Sequence, residues 1–190
     1  MLTKFRVLIA ALLGVVLIIS IIPAQPAAAT SIGLLTNGGF ESYTVSPKIP
    51  DSWKAVHFGK KDGIDTLAAD VEEGLASVRI VGTPGKTKTL TQINLPMSGG
   101  TDETFTLSYY VKGLKVPKLG SCLAKVVFYN FNKAIGSRTV KCGATRTFDY
   151  RLATGTFHAP GTYTGAKLII LYNKASGKVW FDNINLDMSF

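Results

Sequence analysis

Beyond its first thirty residues the chain sustains no helical period of apolar positions. Short runs rich in Val, Ile, Thr, Tyr and Phe recur instead, at 32–35, 53–58, 77–81, 90–94, 104–113, 123–131, 135–141, 146–157, 165–172 and 178–186. Turn-forming groups stand between them: Asn37-Gly38-Gly39, Thr83-Pro84-Gly85, Ser98-Gly99-Gly100, Ala159-Pro160-Gly161 and Ala175-Ser176-Gly177. Gly and Asn tolerate positive φ and Pro presets φ, so such groups end strands and reverse the chain. Many short strands with regular breakers predict an all-β sandwich or barrel. No internal repeat, low-complexity linker or second domain interrupts the pattern.

Side chains alternate between the two faces of a strand, so parity predicts which residues face the core. In 105–112 the odd positions Phe105, Leu107, Tyr109 and Val111 are apolar, which turns Tyr110 outward. After Cys122, the residues Ala124, Val126 and Phe128 share one face, and Lys125, Val127, Tyr129 and Phe131 share the other. With Lys125 marking the outside, Tyr110, Tyr129 and Phe131 are expected to form an outer platform on which sugar rings can stack. A loop folded over that face would make them a second core instead. The last strand switches parity: Val179 and Phe181 fall on one face, Ile184 and Leu186 on the other, with Asp182-Asn183 between. A bulge there would bring both pairs to the core. Alternatively Trp180, Asp182, Ile184 and Leu186 all point inward and bury a carboxylate, which requires a cation or several donors. In either arrangement Asp182 is no ordinary surface acid.

The N-terminus changes the picture. Lys4 and Arg6 precede an apolar run from Val7 to Ile22, then Pro23 and Ala27-Ala28-Ala29. A positive start, an apolar middle and small residues at the end are the parts of a secretory signal peptide. Residues 1–29 are expected to be this signal and 30–190 the domain; a retained membrane anchor is the alternative, since a span needs roughly 20 apolar residues. Cleavage would remove Lys4 and Arg6 and no acid, lowering the formal charge from +9 to +7. The remaining chain of about 160 residues suits one domain with a real core. Its charge favours an acidic glycan, a teichoic-acid-like polymer or an anionic membrane surface, although scattered lysines equally suit a solvated surface. The expected location is secreted, extracellular or in the cell envelope. Disulfides persist there, and Cys122 and Cys142 flank a strand, a turn at Asn132-Lys133 and a second strand. They are expected to face each other and staple the open end of that hairpin; two free buried thiols are the alternative.

Catalytic constellations are missing from the sequence. His57 and His158 stand alone, and no H-x-x-x-H, C-x-x-C or nucleophile-elbow pattern occurs, so zinc and serine-hydrolase chemistry lack support. Glycoside hydrolysis needs two carboxylates flanking one bond, and the acids lie mostly in loop-like stretches that sequence alone does not pair. The chain reads as non-catalytic, and export argues against nucleic acid.

Both ends of the domain carry a further signal. Leu34-Leu35-Thr36-Asn37-Gly38-Gly39-Phe40-Glu41, then Pro50-Asp51-Ser52-Trp53, and finally Val179-Trp180-Phe181-Asp182-Asn183-Ile184-Asn185-Leu186, stand in order along the chain. With the segments at 76–80, 91–93 and 105–113 between them, this resembles carbohydrate-binding modules of the families four, nine and twenty-two type. The resemblance implies a jelly-roll β-sandwich of two antiparallel sheets. It also implies a structural calcium ion, Ca2+, near the first and last strands, with Glu41 and Asp182 as ligands and carbonyls around Gly39 and the 73–76 loop completing the shell. Six to eight oxygens, many from carbonyls, are what calcium takes. Pairing of Glu41 with a Lys or Arg, and capping of a turn by Asp182, is the alternative. By the resemblance a glycan is the partner; strand parity offers Tyr110, Tyr129 and Phe131 to bind it, with Arg79 and Gln92 on neighbouring strands as polar contacts, while Trp53 matches a core position of the family and Trp180 is core or platform. The rival reading is a structural or adhesion sandwich making protein contacts without sugar.

Overall fold

The computed structural model describes residues 31–189; the signal segment expected at 1–29 lies outside them. Eleven strands follow one another: β1 (Ser31–Gly33), β2 (Lys54–Val56), β3 (Gly63–Asp65), β4 (Ser77–Val81), β5 (Lys88–Leu95), β6 (Thr104–Val116), β7 (Ser121–Asn130), β8 (Lys133–Lys141), β9 (Arg146–His158), β10 (Gly165–Asn173) and β11 (Lys178–Ser189). The first sheet runs β3-β4-β11-β6-β9, with β1 added to β11, and the second runs β2-β5-β10-β7-β8. All pairings are antiparallel. The expected β-sandwich of two antiparallel sheets is therefore what forms. Among the described residues no helix is long and apolar enough to cross a membrane.

The core is built from the predicted parity. Phe105, Leu107, Tyr109 and Val111 of β6 face Ala124, Val126 and Phe128 of β7 across the sandwich, and all seven are fully buried. Fully burying each large side chain stabilises by roughly 1.5–3 kcal/mol. An aromatic knot of Phe105, Phe128 and Tyr163, with ring centroids 5.3–5.9 Å apart, packs one end. In β11 the register shifts between Asp182 and Asn185, and Asn183 takes φ 45°. This bulge turns Val179, Phe181, Ile184 and Leu186 all into the core, the first of the two arrangements open from sequence. Trp53 is a core residue as expected, its ring 5.4 Å from that of Phe40.

The Asn-Gly-Gly-Phe-Glu opening has a steric reason. The Ile184 N–H donates to the Gly38 carbonyl at 2.9 Å, and a Cβ on Gly38 would run into the Ile184 carbonyl oxygen. Glycine is what lets this segment lie directly on the β11 bulge. Several boundaries differ from expectation. Short β3 carries too few residues to show a pattern. Strand β2 stops before His57, which takes φ 60°, and β7 stops at Asn130, leaving Phe131 in the turn.

Cys122 and Cys142 are bonded, with Cα atoms 5.5 Å apart, at the open end of the β7–β8 hairpin. Since β8 is an edge strand with mostly exposed side chains, the bridge holds an element with little burial of its own. A 20-residue separation corresponds to about 3 kcal/mol of loop-closure entropy. Reduction, or a double Cys122→Ser/Cys142→Ser variant, is expected to lower the thermal midpoint by about 6–12 °C, read by calorimetry; an unchanged midpoint would show that the edge holds without it. Nearby, the buried Lys174 ammonium donates to the carbonyls of Pro117, Lys118, Leu119 and Gly120 at 2.8–3.3 Å. It ties the β6–β7 loop to the end of β10, and burial holds its pKa below the ordinary lysine value.

Candidate functional site

The sandwich has two outer faces, and they divide the residues expected to act together. Tyr110 lies on β6 in the first sheet, between Asp182 of β11 and Leu152 of β9. Tyr129 lies on β7 in the second sheet, and Phe131 follows it. The expected three-aromatic platform is thus split between opposite sides of the molecule, because the consecutive strands β6 and β7 enter different sheets. The polar pair is divided likewise. Arg79 on β4 donates to Asp65 Oδ2 at 2.7 Å and to the Lys61 carbonyl at 2.9 Å. Gln92 on β5 points inward, where its amide accepts from Thr36 N–H at 2.9 Å and donates to Thr36 O at 2.6 Å. Both polar groups hold the chain's own segments, so neither sits free on a shared face.

On the first sheet the 66–76 segment, which follows edge strand β3, folds over the outer face. Trp180, only 2% exposed, lies beneath it and donates from Nε1 to Asp65 Oδ2 at 2.9 Å. Lys112 bonds the Ala69 carbonyl and pairs with Asp70 at 3.2 Å, and the Tyr150 hydroxyl donates to Asp70 O at 2.7 Å. Trp180 is therefore a second core under a loop, not a platform.

Asp182 is fully buried on this same face. It accepts N–H bonds from Glu72 at 2.8 Å, Glu73 at 3.3 Å and Asn183 at 2.7 Å. Desolvation nevertheless outweighs these donors and pushes its carboxyl up to about 6. Glu41 grips the same loop further on, accepting from Leu75 N–H at 3.1 Å and Ala76 N–H at 3.2 Å. Gly74, at φ 78°, leaves the space its carboxylate occupies. Glu41, Glu72, Glu73 and Asp182 thus surround one loop of a net-positive chain, and none is in an ion pair among the described residues. The oxygens of Glu41 and Asp182 are met by backbone N–H donors instead. Among the described residues no three Asp, Glu, His or Cys side chains converge as a ready-made metal cage.

The second sheet presents the open site. A groove of about 480 Å3 is lined by Ile93, Asn94, Tyr129, Phe131, Asn132 and Lys167, among others, a volume within the range of small-ligand sites. The direct cross-strand partners of Tyr129 are Gly165 and Ala134. Both are small, and the space where a Cβ on Gly165 would stand is open, so one side of the ring is left unshielded. Lys167 Nζ stands 5.1 Å from the ring centroid. Phe131 projects from the turn at 82% exposure with φ 49°, its N–H donating to Thr164 Oγ1 at 2.6 Å. A non-glycine residue in the left-handed region is uncommon, and a bulky one is a genuine outlier. The floor is rigid, since Phe128 and Tyr163, sequence neighbours of Tyr129 and Thr164, belong to the aromatic knot. Sequence reasoning missed Asn132, which sits beside Phe131 in the β7–β8 turn, and also Ile93, Asn94 and Lys167, because β10 lies beside β7, and β5 beyond β10, only through long-range pairing. One local sign existed: Ile93-Asn94 breaks the alternation of β5.

No family model matches the chain, and no curated protein does. Solved structures do. A domain of the bacteriophage CBA120 tailspike protein 4 is similar at TM-score 0.59 and 16% identity over 82% of this chain, which spans 21% of the tailspike chain. A family 16 carbohydrate-binding module is similar at TM-score 0.60 and 19% identity, over 80% of this chain and 98% of the module. The family 61 module TmCBM61, solved with β-1,4-galactotriose, is similar at TM-score 0.53 and 15% identity, over 82% of this chain and 97% of the module. At these identities the likeness establishes architecture alone: the chain is a jelly-roll β-sandwich of the kind that carbohydrate-binding modules share.

Proposed function

We propose that this is an exported, non-catalytic glycan-binding module whose ligand lies in the groove of the second sheet, stacked on Tyr129 and Phe131. The observation that carries the reading is Phe131, an apolar ring held almost wholly in solvent by a strained backbone. Strain of this kind persists where the surroundings impose it and clusters at ligand sites. The fold supports the reading, since architectural neighbours are carbohydrate-binding modules. The N-terminal signal pattern and the disulfide support export. Calcium belongs to the proposal: Glu41 and Asp182, with carbonyls of Gly39 and the 73–76 loop, would hold it, and it would supply the positive charge that fixes this loop to β11.

An adhesion sandwich making protein contacts is the second reading. The lysines on the second sheet and the burial of Tyr109, Tyr163 and Tyr172 favour it. Calorimetric titration with xylan, galactan, β-glucan and acidic polysaccharides separates the two. Tyr129→Ala is expected to weaken binding about tenfold or more, equivalent to roughly 1.4 kcal/mol, and Tyr110→Ala to leave it unchanged. The reverse result would move the site to the first sheet. No binding by the folded wild-type protein would favour adhesion.

A further inference from the structure

The five strands of the second sheet contain no Asp or Glu. The acids of the chain lie in the first sheet and the loops. Of the lysines on the second sheet, Lys88 points inward and pairs with Asp62 at 2.7 Å. Lys133 opens β8 beside the turn; Lys54, Lys125, Lys141 and Lys167 alternate with core residues and so face outward, and none of the five is in an ion pair among the described residues.

Three of these are aligned. Lys125 is opposite Thr139 on β8 and Ile169 on β10. Lys141 is opposite Leu123, and Lys167 is opposite Val127. Each step from Lys141 to Lys125 to Lys167 therefore crosses one strand and advances two residues. Such diagonal neighbours lie about 7–8 Å apart, giving a straight row of like charges across the sheet. The row runs into the groove, since Lys167 lines it and stands over the Tyr129 ring.

Like charges at that spacing repel, and an anionic chain laid along them removes the repulsion. We propose that this row binds a linear carboxylated polysaccharide, a uronic-acid glycan, with one sugar ring on Tyr129 and successive carboxylates on Lys167, Lys125 and Lys141. The inference rests on the glycan reading of the groove. The aromatic groove at the end of the row selects this partner: a uronate offers charge and a stackable ring together. A polyol-phosphate polymer or a lipid headgroup layer offers charge without a repeated ring face along the row.

The test uses the exported protein and polygalacturonate, with its methyl-esterified form as an uncharged equivalent of the same ring. Esterification is expected to weaken binding about tenfold or more. Lys125→Gln/Lys141→Gln, which lies outside the groove lining, should weaken polygalacturonate binding similarly, flatten its salt dependence and leave the esterified polymer unaffected. Equal binding of the two polymers, or an unchanged double variant, would overturn the lysine row while leaving the groove reading to Tyr129→Ala. Loss of every glycan interaction in the wild type would remove both. Tighter capture by phosphatidylglycerol vesicles than by polygalacturonate would also overturn the proposal, assigning the lysines to a membrane surface.

Discussion

Phe131→Gly is expected to stabilise the fold and abolish glycan binding in the same molecule. A non-glycine residue in the left-handed region costs roughly 1–2 kcal/mol; glycine relieves that strain and costs part of it back in unfolded-chain entropy. With the ring 82% exposed, little burial is lost. The Phe131 N–H bond to Thr164 Oγ1 is a backbone contact that glycine keeps. A net gain of about 0.5–1 kcal/mol should raise the thermal midpoint by roughly 1–4 °C. Binding to the glycan found for the wild type should fall more than tenfold. Phe131→Ala separates the two effects: it removes the ring but retains the strain, so binding falls without a gain in midpoint. A drop in midpoint for the glycine variant would show that the ring is a packing element, and the site would lose its principal support.

The second large effect is on stability. Asp182→Ala removes the acceptor of three N–H groups, those of Glu72, Glu73 and Asn183, at a fully buried position. A buried donor left without a partner costs about 1–3 kcal/mol. Allowing for partial escape of the loop to water, the variant should lose roughly 3–5 kcal/mol, a fall in thermal midpoint near 10 °C. The same protein tests calcium. If the ion is held by Glu41 and Asp182, a chelator lowers the wild-type midpoint and leaves Asp182→Ala unchanged. Equal wild-type midpoints in calcium and in chelator would reject the ion and leave the loop held by the chain's own bonds.

Local alternation made much of this legible. The inward set of β6, the inward set of β7 and the parity break at Asp182 all follow from residues two apart on one strand. The disulfide was legible for a similar reason, since Cys122 and Cys142 bound a single hairpin whose register follows from its turn. The family resemblance led to the jelly roll and to the acids around the 72–76 loop. Loop coverage was not legible. Trp180 occupies an outward position by parity, yet β3 and the segment that follows it bury it, and nothing near Trp180 in the sequence announces that segment's path.

The sequence by itself determined which face of each strand is apolar, because side-chain direction is set within the strand's own backbone. Only the tertiary structure decided which sheet each strand joins. Adjacent strands β4 and β5, and again β6 and β7, part into opposite sheets, which separates Arg79 from Gln92 and Tyr110 from Tyr129. The same long-range pairing aligns Lys141, Lys125 and Lys167, from three strands, into one row. Strand partners are chosen by the burial of the whole core, a property of residues tens of positions apart, so neither the separation nor the row is written in any local stretch of the chain.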